Sequence, residues 1–267
     1  SQIVLEATSH IAGSEEWGYA FVCGAAASLV PGRHGCPTPD DVERAITASG
    51  RPRTSVVCLE NSHNNSGGVA LTPEQTRAVA AVARRHGAAV HLDGARLLNS
   101  AVALGVAATA LTDAVDTVSL SLGKGLCAPM GALLAGPGGV IERARTNLRR
   151  IGAGSLHKSG MLAAAGLVAL SKMVDRLGDD NRRARALATG LAALDRVGLD
   201  LTTVQTNIVL IDAGTAGLSG DALAARLAEH GVLGLPRPPH HVRFVTHRLV
   251  GDDEVARAVA AVAAALR

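Results

Sequence analysis

Lys124 stands between two glycines in Ser-Leu-Ser-Leu-Gly-Lys-Gly-Leu-Cys-Ala-Pro-Met-Gly, residues 119–131, directly after an apolar run. The glycines remove side-chain bulk, so that backbone or a flat ligand can approach the amine closely. Partial desolvation lowers a lysine's pKa and frees its lone pair for attack on a carbonyl, which is Schiff-base chemistry. An ordinary lysine in a glycine-rich strand-to-loop turn has the same local signature, and other residues must decide between the two.

A second cluster is His-Leu-Asp-Gly-Ala-Arg, residues 91–96. Alternation points His91 and Asp93 to one face of a strand end, with Arg96 entering the next helix. A carboxylate beside a reactive lysine can hold a pyridine nitrogen protonated, as pyridoxal-phosphate enzymes require, because a cationic ring withdraws electrons from a bond broken nearby. The alternative is an Asp93–Arg96 ion pair at a helix start. The third cluster, Leu-Glu-Asn-Ser-His-Asn-Asn-Ser-Gly-Gly at residues 59–68, is too polar to bury without partners. It is either a solvated loop or a set of site groups, and His63 in it could move protons near neutral pH. The Glu60–His63 spacing also suits a pair of metal ligands, but no further ligands at recognisable spacing support a metal site.

These clusters need a scaffold. Strand-like apolar stretches at residues 3–7, 54–60, 88–92 and 117–122 alternate with alanine-rich helical stretches at 38–49, 72–87 and 96–104, with one more strand expected at 132–135. That alternation predicts an α/β fold with a parallel sheet covered by helices. Thr38 before Pro39 and Thr72 before Pro73 are helix starts, and Gly87 is a stop. Glu60, Asp93 and Lys124 then fall at the carboxyl ends of strands, where open parallel sheets bind ligands. Beyond a long helix at 160–177, a polar break at 178–181 and a second helix at 182–197 predict a domain boundary. Strands at 203–211 and 242–246 and helices at 219–231 and 252–266 make a small α+β unit, dividing the chain into residues 1–175 and 176–267.

Composition narrows the function. The 267 residues are 48% apolar with four aromatic side chains, so the interior must be built from Ala, Val and Leu, and the apolar content hints at a buried subunit interface. A net charge of +3 without a basic block, together with so few aromatics, argues against nucleic-acid binding. Four cysteines show no C-x-x-C spacing, no apolar run reaches the length of a membrane span, and the first residues lack a charged region followed by an uninterrupted apolar one, so secretion is not expected. A cytoplasmic protein with reduced thiols is expected. Residues 2–5 read as a strand with no methionine and no preceding turn, so the chain is expected to be entered partway through a domain.

Glu-Asn-Ser-His-Asn at 60–64, His-Leu-Asp-Gly-Ala-Arg at 91–96, Gly-Lys-Gly-Leu-Cys-Ala-Pro-Met-Gly at 123–131 and Val-Arg-Phe-Val-Thr-His at 242–247 occur in the order and approximate spacing of the low-specificity L-threonine aldolases. These belong to the β-eliminating lyase group, and the resemblance spans essentially the whole chain. It implies a fold-type I, pyridoxal 5′-phosphate-dependent enzyme that cleaves β-hydroxy-α-amino acids such as L-threonine or L-allo-threonine to glycine and an aldehyde, assembled as a homodimer or homotetramer. Lys124 would carry the cofactor covalently and Asp93 would pair with its pyridine nitrogen. His10 would stack on the ring near the substrate hydroxyl, Arg96 and Arg243 would bind the substrate carboxylate, and His63 matches a second histidine near the hydroxyl.

Three departures accompany the resemblance. Family members carry a segment before the equivalent of Ser1, including a Ser/Gly/Thr loop that holds the cofactor phosphate, which is expected to be lacking here. In Gly-Ala-Gly-Ser-Leu-His-Lys, residues 152–158, His157 stands where an arginine often reaches a phosphate in the neighbouring subunit, leaving Lys158 or Arg150 as substitutes. Gly123 replaces a serine. Gly152-x-Gly154 also resembles a dinucleotide fingerprint, but it follows a charged helical stretch rather than a strand. The rival from another class is a catalytically impaired family remnant serving only as an assembly module.

Overall fold

The computed structural model describes residues 1–154 and 157–267. In chain order β1 (Gln2–Glu6), α1 (Gly18–Phe21) and β2 (Ala26–Val30) lead into a short hairpin of β3 (Gly32–Arg33) and β4 (Cys36–Pro37). Then come α2 (Pro39–Thr47), β5 (Thr54–Glu60), α3 (Pro73–Arg85), β6 (Ala89–Asp93), α4 (Leu97–Leu104), α5 (Ala108–Thr112), β7 (Thr117–Ser121), β8 (Ala132–Ala135) and α6 (Gly138–Arg150). The chain ends with α7 (Gly160–Lys172), α8 (Leu177–Ala192), β9 (Ile208–Asp212), α9 (Gly220–Glu229), β10 (Leu235–Arg237), β11 (His241–Val245) and α10 (Asp252–Ala265).

The larger sheet runs β2-β1-β5-β6-β7-β8 and is parallel except for the antiparallel β7–β8 pair. Its core is built from short aliphatic side chains, among them Val4, Val57, Leu59, Leu71, Val90, Leu92 and Leu111. Helix starts explain why the crossovers form. Thr38 accepts a hydrogen bond from the Asp41 amide, and Thr72 and Gln75 cap each other reciprocally, each helix having proline at its first position. Register matters most for function: Glu60 pairs with Asp93 and Asp93 with Ser119, so the last residues of β5 and β6 and the middle of β7 stand side by side.

The smaller antiparallel sheet runs β10-β11-β9. Helices α8, α9 and α10 cover it around Leu187, Leu191, Val209, Ile211, Leu227, Phe244 and Val262.

Several sequence expectations are corrected. The expected polar break at 178–181 is helical: α8 already begins at Leu177, because Asp179 and Asp180 complement the positive helix N-terminus and Asp180 pairs with Arg176. The interruption lies instead at 173–176, and the expected division at residue 175 falls within it. The strand expected from 203 starts only at Ile208, after a short 3-10 turn at Leu201–Thr203. The sequence reading missed α1, β2, the β3–β4 hairpin, α5 and β10, which are too short for periodicity to register. Among the described residues no helix is long and apolar enough to cross a membrane.

Candidate active site

Lys124 leaves the end of β7 in a loop pinned at its neck. The Leu122 amide donates to the Gly131 carbonyl and the Ala128 amide to the Leu122 carbonyl, both at 2.9 Å. The two flanking glycines do different things. A Cβ on Gly125 would lie 2.9 Å from Leu177 and 3.0 Å from the Asn99 side-chain oxygen, so Gly125 lets the loop pack against α8 and α4, whereas a Cβ on Gly123 would make only ordinary contacts. The ligand-approach role expected of both therefore has a structural rival at Gly125.

The loop sets Lys124 on the wall of a cavity of about 490 Å³ shared with Arg96, Asn207 and His247. Lys124 is exposed as a residue, yet its amine is shifted below the usual 10.5: partial burial lowers it most, Arg96 lowers it further, and Asp93, Glu60 and Glu15 oppose the shift. Asn207 is 2% exposed and its Oδ1 is buried without a hydrogen-bond partner.

Asp93 and Arg96 do not form the expected alternative, an ion pair. Asp93 Oδ1 accepts from the Ala95 amide at 3.0 Å and from the Ser119 hydroxyl at 3.4 Å, and no described residue donates to Oδ2. Arg96 instead donates to Asn64 Oδ1 at 3.3 Å, and Arg243 donates to the same oxygen at 2.6 Å. One neutral acceptor thus gathers the two arginines. Burial lowers the pKa of both. For Arg96, Glu60 and Asp93 oppose the shift, and for Arg243 the neighbouring Arg237 and Arg96 add to it, taking it to about 10.

Beneath them lies Glu60, 5% exposed. Its Oε1 accepts the Asn64 amide at 2.7 Å and its Oε2 the His10 amide at 2.6 Å, so one carboxylate ties the arginine-gathering residue to the histidine segment. The His10 ring is partly exposed, and its Nδ1 lies 2.7 Å from Glu15 Oε1.

His63 is placed otherwise than expected. It is fully buried, Nε2 lies 3.0 Å from Glu6 Oε2, and a Cβ on Gly35 (φ +82°) would come within 2.1 Å of its ring. A ring so enclosed does not line the cavity that holds Lys124, so this placement lends no support to a part in handling the hydroxyl proton. His63 belongs to a network in which buried Glu6 also accepts from the exposed Thr8, lying against Glu60.

Asn64 and Asn207 were not singled out as site residues from sequence, although Asn64 lies in the polar run after β5 that pointed to the site, and Glu60 was placed at a strand end there without a role. Arg237 gave no signal at all. His157 and Lys158 are exposed, and Ser155 and Leu156 of the same segment lie outside the described residues. A larger cavity of about 970 Å³, lined in part by Arg33, His34, Cys36 and Gln75, opens elsewhere and holds none of these groups, so size does not mark the site here.

The β-eliminating lyase family profile matches residues 1–214. Low-specificity L-threonine aldolase 1 of Arabidopsis thaliana is 34% identical over 261 residues, covering 96% of this chain and 73% of that protein. Low specificity L-threonine aldolase of Escherichia coli (strain K12) is 34% identical over 222 residues, covering 83% of this chain and 61% of that protein. Among solved structures, Leishmania major threonine aldolase superposes with a TM-score of 0.80 at 17% identity, over 100% of this chain and 78% of that one, which shows a shared fold.

Proposed function

The chain belongs to the β-eliminating lyase family, and from that premise we propose that it cleaves β-hydroxy-α-amino acids such as L-threonine or L-allo-threonine to glycine and an aldehyde, with pyridoxal 5′-phosphate as cofactor. The observation that carries this reading is Lys124: an amine with a lowered pKa, on a cavity wall beside Arg96, within the electrostatic reach of Asp93. The donor set suits the cofactor. A desolvated amine is available to a carbonyl, and the unpartnered Oδ2 of Asp93 can accept the proton of a pyridine nitrogen.

When bound, the cofactor supplies an electron-withdrawing ring that accepts the electron pair released at Cα. Lys124 would hold it covalently through its amine. Arg96 and Arg243 bind the substrate carboxylate through planar guanidinium forks, fixing which bond at Cα is aligned for cleavage. His10 donates Nδ1–H to Glu15 and so presents Nε2 as the base for the β-hydroxyl proton. As that proton leaves, the Cα–Cβ bond breaks, the Cβ–O bond becomes a carbonyl, and Cα takes a proton to give glycine. Threonine yields acetaldehyde.

The assembly is a homo-oligomer in this reading, supported by exposed apolar side chains such as Phe21, Leu133, Leu134, Met161 and Leu167. A cytoplasmic location accords with four free cysteines. The test is glycine and acetaldehyde release from threonine by cofactor-loaded protein. Lys124→Ala should abolish it, and an unaffected Lys124→Ala protein would refute the assignment.

A further inference from the structure

Asn64 and Arg243 also line a second cavity of about 530 Å³, which does not include Lys124. One wall is the segment on either side of His10, including Ser9, Gly13 and Ser14, and the opposite wall is the small sheet. Register brings three basic side chains onto one face of that sheet: Arg237 pairs across the strands with His241, and Arg243 lies two residues further along β11. All three line the cavity.

The two guanidiniums, of Arg237 and Arg243, have no carboxylate partner among the described residues. The Nε of each is buried without a hydrogen-bond partner. No acidic residue lines the cavity, whose remaining polar side chains, such as Thr8 and Asn65, are neutral. Asp212, paired with His241 on the same sheet, uses Oδ1 to accept the Gly214 amide at 2.7 Å. Two guanidiniums with orphaned buried donors beside a histidine leave a strong unmet demand for an anion. The lowered pKa of Arg243, to which Arg237 contributes, reflects the same crowding of positive charge.

Position says which part of a substrate meets that demand. On the proposed aldolase reading, on which this inference rests, Arg96 and Arg243 take the α-carboxylate at the Asn64 divide, and His10 faces the β-hydroxyl. The β-substituent then extends past the His10 segment toward Arg237 and His241. We propose that this cavity receives the β-substituent and is built for an anionic one, so that β-hydroxy amino acids bearing a second carboxylate, such as 3-hydroxyaspartate, are preferred over neutral analogues. The reaction is unchanged in kind: 3-hydroxyaspartate loses its hydroxyl proton, the Cα–Cβ bond breaks, glyoxylate leaves and Cα is protonated to glycine.

The test compares 3-hydroxyaspartate with 3-hydroxyasparagine of the same configuration, an isosteric pair differing in one charge, by glycine release from cofactor-loaded protein, with threonine alongside. The wild type should favour the carboxylate in kcat/KM by about 10- to 100-fold, the range for a hydrogen bond to a charged group. Arg237→Gln should bring that ratio close to one and Arg237→Lys should leave it in between. A wild-type ratio near one overturns the proposal without any variant. So does an Arg237→Gln protein that loses both substrates equally, because Arg237 would then serve the α-carboxylate. If threonine is cleaved while the ratio is near one, only this inference falls; if none of the three is cleaved, the aldolase reading falls and this one with it.

Discussion

Asn64 Oδ1 lies 2.6 Å from Nη1 of Arg243, joining the loop after β5 to the middle of β11. The same oxygen accepts from Arg96, so a neutral amide decides where two cations point. An aspartate there would be a built-in competitor for a substrate carboxylate. Asn64→Asp should therefore raise KM for threonine more than Asn64→Ala does. The alanine variant, which only frees the arginines, should raise KM by about tenfold, or ~1.4 kcal/mol, in steady-state assays.

Lys124 offers a pH prediction whose sign is fixed by its neighbours. Burial lowers its pKa most, Arg96 pushes it down further and Asp93 holds it up. The midpoint for acylation of Lys124, followed against pH by mass spectrometry, should lie below that of an ordinary lysine. It should move to higher pH in Arg96→Leu and to lower pH in Asp93→Asn.

Glu60 accepts two backbone amides, one on each oxygen. Glu60→Gln keeps the shape but turns an NH₂ group toward one of them. A buried donor left without an acceptor costs about 1–3 kcal/mol, and urea denaturation should show a loss of that size. His10 should also lose its placement, so kcat for threonine should fall in the same variant.

Glu6 supplies an acid-stability prediction. Burial pushes its carboxyl up, but hydrogen bonds from His63 and Thr8 and the His63 charge outweigh that and hold it below the ordinary 4.5. A carboxyl depressed in the folded state stabilises the fold above its unfolded pKa, and this is lost as pH falls through the folded value. The stability gap between wild type and Glu6→Gln should be widest near neutral pH, about 1–3 kcal/mol, and should close as pH falls below 4.5.

What could be read from sequence was local. Thr72, Pro73 and Gln75 announce a helix start because their partners are three residues apart, and the apolar runs of β5 and β6 bring Glu60 and Asp93 to strand ends by alternation alone. The start of α8 was misread because polarity at 178–181 looks like a loop unless the Arg176–Asp180 pair is known. The enclosure of His63 was not legible, since spacing along a chain does not say which way a ring turns, and the Glu6 that holds it comes from another strand. Asn64 meets Arg243 across 179 positions, and Arg237 acquires meaning only when β10 pairs with β11. Such contacts exist only once the two sheets are folded against each other.

The central claim is that Lys124 carries the cofactor. The direct measurement is to load the protein with pyridoxal 5′-phosphate, reduce it with borohydride, digest it and locate the modified lysine by mass spectrometry. The account predicts that the reduced group is found on the peptide containing Lys124 and that Lys124→Ala carries none. A reduced group on another lysine, or equal labelling of the Lys124→Ala protein, would contradict it.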